Sequence, residues 1–182
     1  MGYSRYFGMR SFENVVRDGR FRVPKTGTPF KIGAPVQIDP ANPGRMKAVA
    51  EAVSPNAGMG VVIFEHIQNK SDALTTTFDS PYDQVPLDQY AQIMHGVGTK
   101  VWFRNVANKT LYDGRTQQNG TLLDSSLADL SSLTPGTGLV PAGGGLFRAT
   151  DDSATADVGG KRWLTVEQVN PTTGLIEARF EF

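Results

Sequence analysis

Apolar and polar residues alternate with a period of two through several short stretches, with glycine and proline between them. Val36 and Ile38 alternate with Gln37 and Asp39, the pattern of a strand with one wet face. The run Pro40-Ala41-Asn42-Pro43-Gly44 predicts a turn, since proline presets φ and glycine accepts positive φ. Met46, Ala48 and Ala50 then alternate with Lys47, Val49 and Glu51. After a loop at 54–58, Gly60-Val61-Val62-Ile63-Phe64-Glu65 is an apolar, β-branched run suited to a core strand. Near the end of the chain, residues 162–169 alternate and Asn170-Pro171-Thr172-Thr173-Gly174 turns. Ile176, Ala178, Phe180 and Phe182 then share one face, opposite Glu177, Arg179 and Glu181. That pattern predicts a β-hairpin over 162–182.

Other stretches are less regular. Leu87, Tyr90, Ala91 and Met94 stand at helical spacing with Gly96 as a candidate C-cap. Val101 and Phe103 alternate with Trp102 and Arg104 beyond Gly96-Val97-Gly98, which favours a hairpin around the glycines. Residues 69–86 are polar and aperiodic and read as a connection between two halves. Residues 105–145 read as loop-rich. Leu123, Leu127 and Leu130 predict one or two helical turns there, weakened by Ser125, Ser126, Ser131 and Ser132.

Residues 1–24 fit neither period. Arg5, Arg10, Arg17, Arg20 and Arg22 are interleaved with Tyr3, Tyr6, Phe7, Phe12 and Phe21, a mixture enriched at interface cores. The segment is expected to be an extended arm that orders against a partner. The competing reading is a short amphipathic helix packing Phe12, Val15 and Val16 on the protein's own core. The organisation expected is an arm (1–24), a first β unit (25–68) and a second β unit with long loops and the terminal hairpin (69–182). The two units stand apart or share one continuous domain.

Composition narrows the partners. Over 182 residues, 18 basic side chains balance 18 acidic ones, which argues against nucleic-acid or anionic-membrane binding driven by a broad positive field. There is no cysteine, hence no disulfide, thiol nucleophile or zinc-thiolate site. The longest uncharged apolar stretch, 58–64, is far short of the roughly 20 residues that span a bilayer. The opening residues show no apolar core of a secretory signal, and Tyr6 stands where a myristoylation motif needs Ser or Thr. A soluble protein made in a cytoplasm is expected.

Reactive constellations are sparse. His66 and His95 each end an apolar run, without the spacing of a His-based metal site. Asp151-Asp152 and the series Asp79, Asp83 and Asp88 fall in polar segments rich in Ser, Thr and Pro, where aspartate favours turn hydrogen bonds. Gly143-Gly144-Gly145 lacks the GK[ST] ending of a phosphate-binding loop and reads as a turn. Trp102 and Trp163 suit sugar stacking, but a Trp in an alternating strand is more often half-buried structure. No enzyme activity, cofactor or metal is expected.

The stretch 27–66, with Gly33-Ala34-Pro35-Val36, Ile38-Asp39-Pro40 and Gly60-Val61-Val62-Ile63-Phe64-Glu65, resembles the small β domain of lambda-like head-decoration proteins of tailed phages. Residues 96–105 and the closing hairpin are similar to decoration proteins of phages that infect actinobacteria. The resemblance implies a mainly β fold, a small β-barrel or β-tulip-like body with an extended N-terminal arm, long loops and little helix. It also implies a cement protein on the outer capsid surface of the virion, binding as a homotrimer to the major capsid protein, without nucleic-acid or membrane partners. Tyr3, Arg5, Tyr6, Phe7, Arg10 and Phe12 are the residues expected at the capsid or protomer interface. An alternative from another class is a carbohydrate-binding β module using Trp102, Tyr112 or Trp163. A hydrolase using Asp151 and Asp152 is weaker still.

Overall fold

The computed structural model describes residues 7–11, 14–51, 53–63, 84–85, 87–105, 109–110, 116–117, 122–124, 127, 130–150 and 162–182. Strands dominate them. The first are Phe7–Met9 (β1), Val16–Arg22 (β2), Phe30–Lys31 (β3), Pro35–Asp39 (β4), Asn42–Ala48 (β5) and Met59–Ile63 (β6). Gln84–Val85 (β7), Tyr90–His95 (β8), Lys100–Arg104 (β9), Lys109–Thr110 (β10) and Thr116–Gln117 (β11) follow. The last four are Gly138–Gly143 (β12), Leu146–Thr150 (β13), Leu164–Asn170 (β14) and Leu175–Phe180 (β15).

Two assemblies result. Strands β2, β5, β4, β6 and β8, in that order, close into a barrel. A six-stranded sheet runs β1-β9-β15-β14-β12-β13, and β3–β7 and β10–β11 form two short ribbons. Closure removes the open edges that a five-stranded sheet would otherwise present. The fold is therefore mainly β, as the alternation implied.

One hydrophobic cluster serves both assemblies. It includes Val36, Met46, Val61 and Ile93 of the barrel together with Phe103, Leu164, Ile176 and Phe180 of the sheet. In β8 the neighbours Ile93 and Met94 are both buried, as are Val61 and Val62 in β6. Successive strand residues point to opposite faces, so this wall of the barrel is covered on both sides. That accounts for the unbroken apolar run of β6.

The terminal hairpin forms as its pattern predicts. β14 pairs antiparallel with β15, with Val166 opposite Ala178 and a bulge before Gln168. Ile176, Ala178 and Phe180 are buried, while Glu177, Arg179 and Glu181 face outward. The β4–β5 hairpin also forms, but the turn is only Pro40-Ala41, since Asn42 already pairs with Asp39. The Asp39 carboxylate accepts from the Ala41 N–H at 3.1 Å and the Asn42 side-chain amide at 3.0 Å, which fixes the turn.

Other expectations are corrected. Residues 16–22, assigned to the arm, are barrel strand β2, paired antiparallel with β8. Their alternation is hidden by a bulge between Asp18 and Phe21 that contains Gly19. Strands β8 and β9 exist as read, but they do not pair with each other. The loop between them is bonded elsewhere: Gly96 N–H to the Phe182 carbonyl at 3.0 Å, and Gly98 N–H to that of Phe180 at 2.9 Å. The chain thereby leaves the barrel and enters the sheet beside β15. Gly96 is required at this crossing, with φ near 137° and the Asn14 carbonyl where a β-carbon would lie. The end of the loop-rich 105–145 stretch opens the β12–β13 hairpin, which the residue pattern does not announce, and among the described residues the expected helical turns are 3-10 in form, at Leu127 and at Leu130–Ser132. Leu122, Leu123, Leu127, Leu130 and Leu133 are nonetheless all buried in the core.

Candidate interaction surface

Of the six predicted contact residues, Tyr3, Arg5, Tyr6 and Phe12 lie outside the described residues. Phe7 is a core residue, only 4% exposed, so its expected place at an interface is corrected. It pairs with Phe103 across β1–β9 and packs against Gly33 and the barrel's approach to β4. Arg10 remains half exposed, but its guanidinium is engaged. Nε donates to Glu177 at 2.8 Å and Nη2 lies 2.7 Å from the same carboxylate oxygen. The Arg10 N–H also donates to the Lys100 carbonyl at 2.8 Å, and Ser11 Oγ accepts from the Lys100 N–H at 3.0 Å. Residues 7–11 are thus strapped along β9.

The outer face of the six-stranded sheet is polar. Trp102 lies there half-buried, with Gly8 opposite it on β1 and Glu177 opposite it on β15. Glu167 accepts Lys100 at 2.8 Å and lies 3.9 Å from Arg179, which also pairs with Glu181 at 3.2 Å. Such exposed pairs contribute about 0–1 kcal/mol each; they set orientation more than stability.

Trp163 is completely buried. Its indole N–H donates to the Val53 carbonyl at 2.8 Å, and its ring meets Phe147 and Phe182 edge-on. It cannot serve as a stacking platform, which removes one of the three aromatics of the glycan-binding alternative. Tyr112 lies outside the described residues, as do His66, Asp79, Asp83, Asp151 and Asp152. His95 has a structural setting. Its Nε2 is 3.3 Å from Asp18 and its ring stacks on Phe182 at 5.7 Å.

A polar cluster that linear spacing does not reveal joins β2, β5 and the turn before β8. Asp88 has a left-handed backbone (φ 59°), and its N–H donates to the Pro24 carbonyl at 3.1 Å. Its carboxylate thereby sits between two arginines: Arg45 Nη2 donates at 2.8 Å and Arg22 Nη1 at 3.4 Å. Arg45 Nη1 also donates to the Val23 carbonyl at 2.7 Å. The Arg45 hydrogen bond, with the charges of Arg45, Arg22 and Lys25, holds the Asp88 carboxyl below its usual range despite some desolvation. Arg22 also lies over the Tyr90 ring, 4.7 Å from its centroid. Its own pKa is raised, chiefly by the hydrogen bond to Tyr90.

Among the described residues no three His, Asp or Glu side chains cluster as a metal site would require, and no helix is long and apolar enough to cross a membrane. The polar side chains described above hold turns, strands and the barrel junction in place. No family model matches the chain, and no curated protein matches it in sequence.

Proposed function

We propose that this protein is a capsid decoration protein that binds the outer surface of a tailed-phage head as a homotrimer. It clamps neighbouring major capsid subunits and so stabilises the expanded shell. The stretches that carry the resemblance to head-decoration proteins include β4, β6, β9 and the β14–β15 hairpin, the frame of the barrel and sheet.

The observation that carries the reading is the anchoring of the first strand. β1 is an edge strand of the sheet, fixed by the Phe7 ring in the core and by Arg10 on Glu177. Residues 1–6, with Tyr3, Arg5 and Tyr6, directly precede this anchored strand in the sequence. An extended segment covers much neighbouring surface per residue, and a firm anchor confines the ordering cost of binding to a few residues. Tyr and Arg are the side chains that most often dominate binding energy at interfaces.

Co-sedimentation with expanded empty phage shells tests the reading. The full chain is expected to pellet with the shells at a fixed ratio to the major capsid protein. Deletion of residues 1–6 is expected to abolish that binding while leaving the body folded. Failure of the intact chain to bind any such shell rejects the function; undiminished binding by the truncated chain rejects only the arm.

A further inference from the structure

We propose that the barrel wall at the junction of β2 and β5 is a docking surface for an acidic segment of a partner protein. The chain is neutral as a whole, but its charge is unevenly distributed. Residues 1–50 hold nine basic side chains against three acidic ones, and the rest of the chain carries the opposite imbalance.

The fold gathers five of those nine on or beside one wall. Arg20 and Arg22 come from β2, Lys25 follows it, and Arg45 and Lys47 lie two residues apart on β5. The Arg45 and Lys47 side chains share the face opposite buried Met46. Among the described residues two carboxylates pair with these cations: Asp88 between Arg22 and Arg45, and Asp39 at 3.7 Å from Lys47. The wall keeps a surplus of positive charge, and Arg20 and Lys25 are exposed.

Two further features suit a docked chain. Tyr90, 51% exposed, pairs in register with Arg22 and supports its guanidinium, so an aromatic face lies within the cationic patch. β5 also meets β2 in parallel register at a single position, Arg22 opposite Arg45. Beside it Asn42, Pro43 and Gly44 are exposed, and a β-carbon on Gly44 would meet nothing within 4 Å. A strip of open surface therefore runs along the cations. Pro43 has no N–H to offer, so recognition there relies on side chains more than on strand addition.

Carboxylates match this chemistry, because arginine forks bind them through paired charge-assisted hydrogen bonds. A nucleic acid fits less well. Its closely spaced phosphates would meet Asp39 and Asp88 within the patch, and the surplus charge is small for counterion-driven binding. The inference does not depend on the capsid reading, since its test uses no shell.

The test measures fluorescence anisotropy of a labelled ten-residue polyglutamate peptide titrated with the full chain. Saturable binding is expected, weakening steeply between about 50 and 300 mM salt, where the Debye length shrinks. The double substitution R20E/K25E, which leaves the Arg22–Asp88–Arg45 contacts in place, is expected to weaken binding at least about tenfold, roughly what removing two charge-assisted contacts supplies. R20Q/K25Q is expected to fall between the two and guards against misfolding of the reversed variant. Absence of saturable binding, equal binding by both variants, or tighter binding of a ten-residue thymidine oligonucleotide would overturn the proposal. Self-association of the intact chain that both variants abolish would also overturn it, because a second copy would then be the occupant.

Discussion

The ring of Phe7 lies across the α-carbon of Gly33. A β-carbon at that glycine would sit 2.7 Å from Cγ of the ring and 2.8 Å from Cδ1 of Leu122. The contact ties the first strand of the sheet to the turn that feeds the barrel. Gly33 also has φ near 88°, where side chains are strained. Gly33→Ala is therefore expected to destabilise by about 1–3 kcal/mol from backbone strain, with steric cost besides. Phe7→Ala empties a buried site and is expected to cost about 3–5 kcal/mol. Urea unfolding midpoints at unchanged slope measure both.

Truncation separates the arm from the fold. Removing residues 1–6 spares every described strand and is expected to leave the thermal midpoint within a few degrees of the intact protein. Removing residues 1–22 deletes β1 and β2, and with β2 the barrel loses a strand paired on both sides. That longer deletion is expected to abolish cooperative unfolding, as read by near-ultraviolet circular dichroism during heating.

Acid should act partly through Asp88. Its folded-state pKa lies below the ordinary 3.8, chiefly through the hydrogen bond from Arg45. A depressed carboxylate contributes stability that is fully present above the unfolded pKa and is lost as pH falls through the folded value. Asp88→Asn is expected to be less stable than the parent at pH 6, and the gap should narrow below about pH 4. Melting temperatures across pH 2–7 for the two proteins check this. A gap that persists unchanged at pH 2 would show that charge plays no part in it.

The two tryptophans should report separately. Trp163 is sealed in the core with its N–H bonded, whereas Trp102 lies half-buried on the sheet's outer face. Iodide is expected to quench the fluorescence of the intact chain only in part, and Trp102→Phe should remove most of the quenchable fraction. Trp163→Ala is expected to cost about 3–5 kcal/mol; Trp102→Ala should cost far less.

Strict alternation made parts of this architecture legible. The β14–β15 hairpin has one apolar face, one charged face and a Pro- and Gly-containing turn, and each signal points the same way. Strand β12 was hidden because Pro141 and the glycines of 143–145 look like a break. The structure tolerates that proline because β14 pairs with β12 only at Gly138 and Leu139. Opposite Pro141 on the other side, the Phe147 N–H turns outward to the Leu122 carbonyl, so no ladder bond from Pro141 is needed there. Strand β2 was masked by its bulge. The glycines of 96–98 suggest a β8–β9 hairpin that does not form, because a glycine turn specifies a reversal without naming the strand that captures the returning chain. The interface composition of 1–24 concealed Phe7, an aromatic that the chain keeps for its own core. Arg22, Arg45 and Asp88 could not be joined in advance, because only barrel closure brings them together.

The pairing of β1 with β9 and of β2 with β8 links residues 68 (Arg22 to Tyr90) to 96 (Phe7 to Phe103) positions apart. Closing such long loops is paid for in chain entropy before the contacts form. Folding dominated by distant pairing typically takes milliseconds to seconds. During synthesis the first two strands emerge long before β8 and β9 exist to receive them. Strands β1 and β2 must therefore wait, unpaired and accessible to chaperones, until the chain has been made through β8 and β9.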